Sequence, residues 1–229
     1  ERRLELNKVL LTDSCTSALE VSALLLRKFN TLQEIIMPSY TFPSTASAFL
    51  KIGFKIIFAD IDPKNFMIDI EDVKLKINKK TTAIVVVHYG SHHVDLHNFK
   101  KLCKQKSIFL VEDAAQGFYS FLGKKSIGSF GDLACFSFHE TKNIHAGLCG
   151  ALSINNKKFC ERAEYIWERG TNRKKVIEGS ASKYEWVEVG GSYYPTELQA
   201  AFLFSQLKKI DQNLKKRNDI YNLYFKNLI

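Results

Sequence analysis

Ile108-Phe109-Leu110-Val111-Glu112-Asp113-Ala114-Ala115-Gln116 runs from an unbroken apolar stretch into two acids and an amide. Ile, Phe, Leu and Val in succession, without polar alternation, are how a parallel strand buried on both faces reads. Ala83-Ile84-Val85-Val86-Val87-His88 has the same character, and shorter runs of the kind occupy 34–37, 55–60 and 134–138. Helical stretches lie among them at 16–28, 44–51, 70–77 and 96–106. Strands separated by helices of this length imply βαβ units, an α/β class and an open, mostly parallel sheet. Two further helices are expected at 156–169 and 196–228, joined by a polar stretch over 170–192.

Ligands of such sheets gather at the carboxyl ends of the strands, so the residues just beyond them carry the information. Three segments stand there. Glu112 and Asp113 close a buried strand, where a carboxylate is costly unless paired with a cation; capping of the next turn is the alternative use. Ala134-Cys135-Phe136-Ser137-Phe138-His139-Glu140-Thr141-Lys142-Asn143 sets a lysine shortly after another apolar run. A desolvated lysine becomes a nucleophile for carbonyls, whereas an exposed one on a loop does nothing. Leu11-Thr12-Asp13-Ser14-Cys15-Thr16-Ser17-Ala18-Leu19-Glu20 is rich in hydroxyls and opens a helix. Its first-turn N–H groups suit a phosphate, and an ordinary N-cap satisfies the same pattern. An anion seat, a buried carboxylate and a strand-end lysine together match the three polar ends of pyridoxal phosphate.

Composition narrows the classes. The 229 residues carry 33 basic and 24 acidic side chains, a net charge of +9, which suits a phosphate ester or nucleotide and equally a solvated surface. Lysines scatter along the chain and no nucleic-acid module or zinc spacing is present, so a nucleic-acid partner is not expected. The five cysteines form no C-x-x-C pair; Cys103 and Cys160 fall on expected helices and Cys135 in an expected strand, as reduced packing cysteines do. Lys51 and Lys55 interrupt the best apolar run, so no membrane span is expected, and the protein reads as cytoplasmic. A dehydrogenase would suit the sheet, but no G-x-G-x-x-G follows an early strand.

Ser137-Phe138-His139-Glu140-Thr141-Lys142-Asn143 is similar to the lysine motif of the DegT/DnrJ/EryC1/StrS family of sugar-nucleotide aminotransferases. The resemblance continues through 14–20, Met37-Pro38-Ser39-Tyr40-Thr41-Phe42, 111–117, Glu168-Arg169-Gly170-Thr171-Asn172-Arg173 and Glu197-Leu198-Gln199-Ala200-Ala201. Within the family it is nearest the dTDP-4-amino-4,6-dideoxygalactose transaminases. It implies the three-layer αβα large domain of the fold type I aminotransferases over residues 1–229. It also implies that a further N-terminal segment and a small C-terminal domain are missing, and that the protein is a homodimer.

The resemblance assigns roles as well. Lys142 holds pyridoxal 5'-phosphate covalently and then moves protons during the reaction. Asp113 pairs with the ring nitrogen, Gln116 lies by the phenolic oxygen, and Phe42 covers a ring face. Cys15, Thr16 and Ser137 hold the phosphate. Arg169, Asn172 and Arg173 contact a nucleotide-linked keto sugar, unless they are a solvated helix end. L-Glutamate is the implied amino donor and carbon 4 of the sugar the acceptor. A non-catalytic truncated paralogue is one rival; a sugar dehydratase of the same family is another, but those relatives carry histidine in place of the lysine. Three stretches depart from the family pattern: Gly90-Ser91-His92-His93-Val94-Asp95, Gly147-Leu148-Cys149-Gly150 where Gly-Glu-Gly-Gly is usual, and Tyr194 where some members place asparagine. His92 and His93 would point apart on a strand and have no carboxylate company, so they read as surface loop residues and no metal is expected.

Overall fold

The structure, a computed structural model, describes residues 1–27 and 33–228. In chain order the elements are β1 (Val9–Thr12), α1 (Cys15–Leu26), β2 (Glu34–Pro38), α2 (Pro43–Lys51), β3 (Lys55–Ala59), α3 (Ile70–Lys76), β4 (Thr81–Val87), α4 (Leu96–Lys106) and β5 (Phe109–Asp113). A small hairpin follows, β6 (Phe121–Leu122) and β7 (Lys125–Ser126), then β8 (Leu133–Ser137), β9 (Gly150–Ile154), α5 (Cys160–Trp167), α6 (Arg173–Ile177), α7 (Glu197–Lys208) and α8 (Ile210–Leu228).

Seven strands form one sheet in the order β1-β9-β8-β5-β4-β2-β3. Pairing is parallel from β8 through β5, β4 and β2 to β3, and β9 runs antiparallel to both of its neighbours. The apolar runs alternate between two separate cores. Ile35, Met37, Val85, Val111 and Cys135 pack with α1, α2 and α5 on one face. Ile36, Ile84, Val86, Leu110 and Phe136 pack with Leu96, Phe99 and Leu102 of α4 on the other. Burial on both faces is why these strands show no polar alternation.

The parallel strands and the four helices expected between them are present, with ends moved by one or two residues. The end of the first expected helix, at Lys28, lies outside the described residues; α1 itself stops at Leu26, where Arg27 turns extended. Three features differ from expectation. Strands β1 and β9 were not anticipated: Val9-Leu10-Leu11-Thr12 is short, and Gly150-Ala151-Leu152-Ser153-Ile154 contains small residues of low strand preference. The long helix expected over 196–228 breaks at Lys209 into α7 and α8. The helix expected over 156–169 is a short 3-10 turn followed by α5, which ends because Arg169 and Gly170 adopt left-handed φ of 59° and 72°. A Cβ on Gly170 would lie 1.8 Å from the Glu188 carbonyl oxygen, so only glycine permits the 188–190 segment to close over this turn. Among the described residues no helix is long and apolar enough to cross a membrane.

Candidate active site

At the end of β1 the chain turns sharply into α1. Thr12 Oγ1 donates to the Ser14 carbonyl at 2.7 Å, and Ser14 Oγ accepts from Ser17 N at 3.1 Å as the N-cap. Cys15 and Thr16 therefore begin the helix, and their N–H groups belong to the first turn that has no intrahelical acceptor. Thr16 Oγ1 donates to Ser44 Oγ at 3.0 Å, tying this turn to α2. From the other side β9 presses in: a Cβ on Gly150 would sit 2.4–2.5 Å from the main chain of Ser14 and Cys15. The geometry is a helix N-terminus held rigidly by a glycine that no other residue could replace without displacement.

Strand β5 ends in two acids that face opposite sides of the sheet, as successive residues must. Glu112, fully buried, accepts from Gly128 N at 2.9 Å, Phe130 N at 2.9 Å and Gly131 N at 2.6 Å, and meets His88 Nε2 at 3.1 Å. Burial pushes its pKa up, but His88 and the main-chain donors outweigh this and hold it below the ordinary carboxylate value. Glu112 thus fastens the 128–131 turn to the sheet. The expectation of a cationic partner is met here by main-chain N–H groups and an imidazole instead of lysine or arginine.

Asp113 is 4% exposed and has fewer partners. Thr45 Oγ1 donates to Oδ2 at 2.6 Å and Ala115 N to Oδ1 at 3.1 Å. Burial raises its pKa, against the opposing pull of Thr45, the Ala115 N–H, His88 and Lys142. A cationic ring nitrogen placed beside this carboxylate would favour its ionised form.

Beyond β8 the chain makes an excursion over 138–149, closed by Phe138 N to Cys149 O at 2.8 Å and Glu140 N to Gly147 O at 2.8 Å. Lys142 lies on this excursion, half-buried, and its Nζ makes no hydrogen bond or ion pair among the described residues. Ser137 Oγ accepts from His139 N at 3.3 Å. Gln116 Oε1 accepts from Gly90 N at 2.8 Å, joining the loops after β5 and β4. Phe42, 71% exposed, stands before Pro43 at the entry to α2.

These residues enclose one cavity of about 310 Å³. Its wall includes Cys15, Thr16, Phe42, Asp113, Gln116, Ser137 and Lys142, all seven residues assigned to the cofactor from the sequence. Arg169, Asn172 and Arg173 are not part of that wall. Arg169 donates to Glu168 Oε1 at 2.7 Å and lies 4.9 Å from the centre of the Tyr194 ring, and Arg173 reaches the same carboxylate oxygen at 3.2 Å. Asn172 is buried, with Nδ2 donating to Lys183 O at 2.9 Å and Oδ1 accepting from Glu185 N at 2.8 Å. His92 and His93 are exposed.

Two residues of the cavity were not singled out from the sequence. Thr45 is the donor that fixes the Asp113 carboxylate, but its only sequence mark is a hydroxyl among several at the start of a helix. His88 is 1% exposed, joins the wall, and its Nδ1 has no hydrogen-bond partner among the described residues. It was legible only as the polar end of an apolar strand. Taken together, a helix N-terminus, a buried carboxylate, an uncommitted lysine and an exposed aromatic ring fit a flat phosphorylated aldehyde with a basic ring nitrogen.

The UDP-4-amino-4,6-dideoxy-N-acetyl-beta-L-altrosamine transaminase of Campylobacter jejuni strain 81-176 is 32% identical over 218 residues, covering 93% of this chain and 56% of the relative. GDP-perosamine synthase of Vibrio cholerae is 31% identical over 192 residues, 83% of this chain and 50% of that protein. Among solved structures, PseC of Helicobacter pylori, an aminotransferase involved in pseudoaminic acid biosynthesis, superposes with a TM-score of 0.87 at 29% identity, covering 99% of this chain and 60% of that one. The chain spans about half the length of the relatives it matches. The family model matches residues 4–229, and on that match the chain belongs to the DegT/DnrJ/EryC1/StrS aminotransferase family.

Proposed function

We propose that the protein is a pyridoxal-phosphate-dependent aminotransferase that places an amino group on carbon 4 of a nucleotide-linked 4-keto-6-deoxy sugar, of the dTDP-4-keto-6-deoxyglucose type, with L-glutamate as donor. Residues 1–229 act as its large cofactor-binding domain, in a homodimer in the cytoplasm. The observation that carries the reading is the convergence of Lys142, Asp113 and the start of α1 on one cavity. The relative named for a UDP-linked 4-amino-4,6-dideoxy sugar supports the choice of carbon 4, and the one named for a GDP-linked sugar supports a nucleotide-linked substrate.

Pyridoxal phosphate, when bound, would supply the electron sink and the carbonyl carbon that carries the amino group between donor and keto sugar. The residues of this chain do the rest. Lys142 would hold the cofactor and, when free, would carry a proton between the donor Cα and carbon 4′ of the cofactor. Asp113, fixed by Thr45, keeps negative charge beside the ring nitrogen. Cys15, Thr16 and Ser137 bind the phosphate, Gln116 orients the phenolic oxygen and Phe42 covers the ring. Arg169 and Arg173, about half-exposed and sharing one carboxylate, supply charge for the diphosphate, and Asn172 braces the 183–185 segment beside them.

Borohydride reduction of the protein incubated with pyridoxal phosphate tests the carrying observation. The cofactor mass should appear on the peptide containing Lys142, and Lys142→Ala should abolish both the label and the visible absorbance of lysine-bound cofactor. A label on a different lysine would overturn the assignment.

A further inference from the structure

Phe66 is a bulky residue held at φ 62°, a left-handed conformation that glycine or asparagine adopts far more readily. The turn that holds it is tightly bonded. Phe66 N donates to Asp62 O at 2.7 Å, Asp62 N to Met67 O at 2.8 Å, and Met67 N to Asn65 Oδ1 at 2.8 Å. Met67 and Ile68 are buried beneath it, so the backbone is fixed while the Phe66 ring remains 55% exposed. Local strain at a position fixed by these hydrogen bonds presents an apolar ring to water, as strained residues at ligand sites do.

The ring does not stand alone. Tyr40, 43% exposed, has its ring centre 6.1 Å from that of Phe66 and 4.5 Å from that of Tyr89, at tilts of 46° and 37°. Tyr89 in turn lines the cavity that contains Lys142. An aromatic shelf therefore leads from the cavity mouth outward in two ring-to-ring steps. A ligand whose reacting end lies at Lys142 and whose far end is a flat π-system would lie along it.

We propose that Phe66 and Tyr40 form a stacking subsite for the nucleobase of the sugar nucleotide. This rests on the nucleotide-sugar reading given above. Aromatic stacking supplies binding to any base, because every base has a π-face, so the shelf by itself sets affinity more than base identity.

The test is calorimetric binding of dTDP, UDP and GDP, with inorganic pyrophosphate as the ligand that lacks a base, to the protein loaded with pyridoxamine phosphate. Phe66→Gly removes the ring and relieves the backbone, so its melting temperature should equal or exceed that of the parent. Its affinity for the preferred nucleoside diphosphate should nevertheless fall about fivefold or more, with pyrophosphate binding unchanged. Tyr40→Ala should show a similar loss, and Tyr40→Phe should retain most of the affinity. Nucleotide binding by Phe66→Gly within twofold of the parent would overturn the subsite while leaving the enzymatic reading intact. A parent protein that takes up the cofactor yet binds none of the three nucleotides would overturn the nucleotide-sugar reading and the subsite with it.

Discussion

Asp113 carries its carboxylate into a place that water scarcely reaches, with one hydroxyl and one main-chain N–H to stabilise it. Burial raises its pKa, and a cationic ring nitrogen beside it would oppose that shift. Asp113→Asn is nearly isosteric and should preserve the fold, yet slow amino transfer by about a hundredfold or more, the scale of one preorganised charge. Thr45→Val removes a hydrogen bond that favours the ionised form. The Asp113 pKa should then rise further, and the acid limb of the pH–rate profile should shift to higher pH with little change on the alkaline side. An unmoved acid limb would show that Thr45 merely packs. At this scale the sequence was most informative where a residue type is chemically unusual for its place, as with Asp113 at the end of an apolar strand or Lys142 after one. It was silent on Thr45 and on the contrast between Glu112 and Asp113. Their difference depends on which turn, 128–131 or 41–45, each acid meets across the sheet.

The elements that shape the site are β1, β9 and the start of α1. The parallel strands were legible because burial on both faces leaves continuous apolar runs. Strands β1 and β9 were not, because their pairing joins residues 9–12 to 150–153 and owes little to local preference. That pairing shows what the stretch departing from the family pattern retains. Gly147-Leu148-Cys149-Gly150 keeps glycine at the two places where backbone geometry calls for it: Gly147 at φ 75° and Gly150 against Ser14 and Cys15. Cys149 between them is buried, with Sγ 3.3 Å from the Thr12 carbonyl, and burial lifts its thiol pKa to about 11. Gly150→Ala should therefore displace the first turn of α1. Overpacking of this kind costs about 1–3 kcal/mol, and the affinity for pyridoxal phosphate should fall by tenfold or more. Ser14→Ala, which removes only the N-cap at a cost of about 1 kcal/mol, is the comparison. Should Gly150→Ala lose stability with unchanged cofactor affinity, the start of α1 is not the phosphate seat.

For the whole molecule, the distribution of exposed apolar surface matters as much as the cavity. Leu198 is 84% exposed at the start of α7, and Tyr221, Leu223, Tyr224 and Phe225 are each more than half exposed on α8. Such concentrations on two adjoining helices mark surfaces meant to be covered. If the homodimer proposed above forms, Leu198 is the exposed side chain it should cover. Light scattering should then give twice the mass of one protein chain, and Leu198→Glu should shift the population toward monomer; a monomeric parent would contradict the dimer. The general layout, a mostly parallel sheet with its chemistry at the strand ends, was readable from the alternation of apolar runs and helices. The identity of the second substrate is a property of the assembled surface, and it is the central claim. It is tested most directly by loading the protein with pyridoxamine phosphate and supplying dTDP-4-keto-6-deoxyglucose, the free keto sugar or a simple keto acid in parallel. The account predicts that the nucleotide-linked sugar is aminated at carbon 4 with return of the pyridoxal phosphate spectrum, and that L-glutamate then reloads the cofactor. Return of that spectrum with keto acids alone would contradict it.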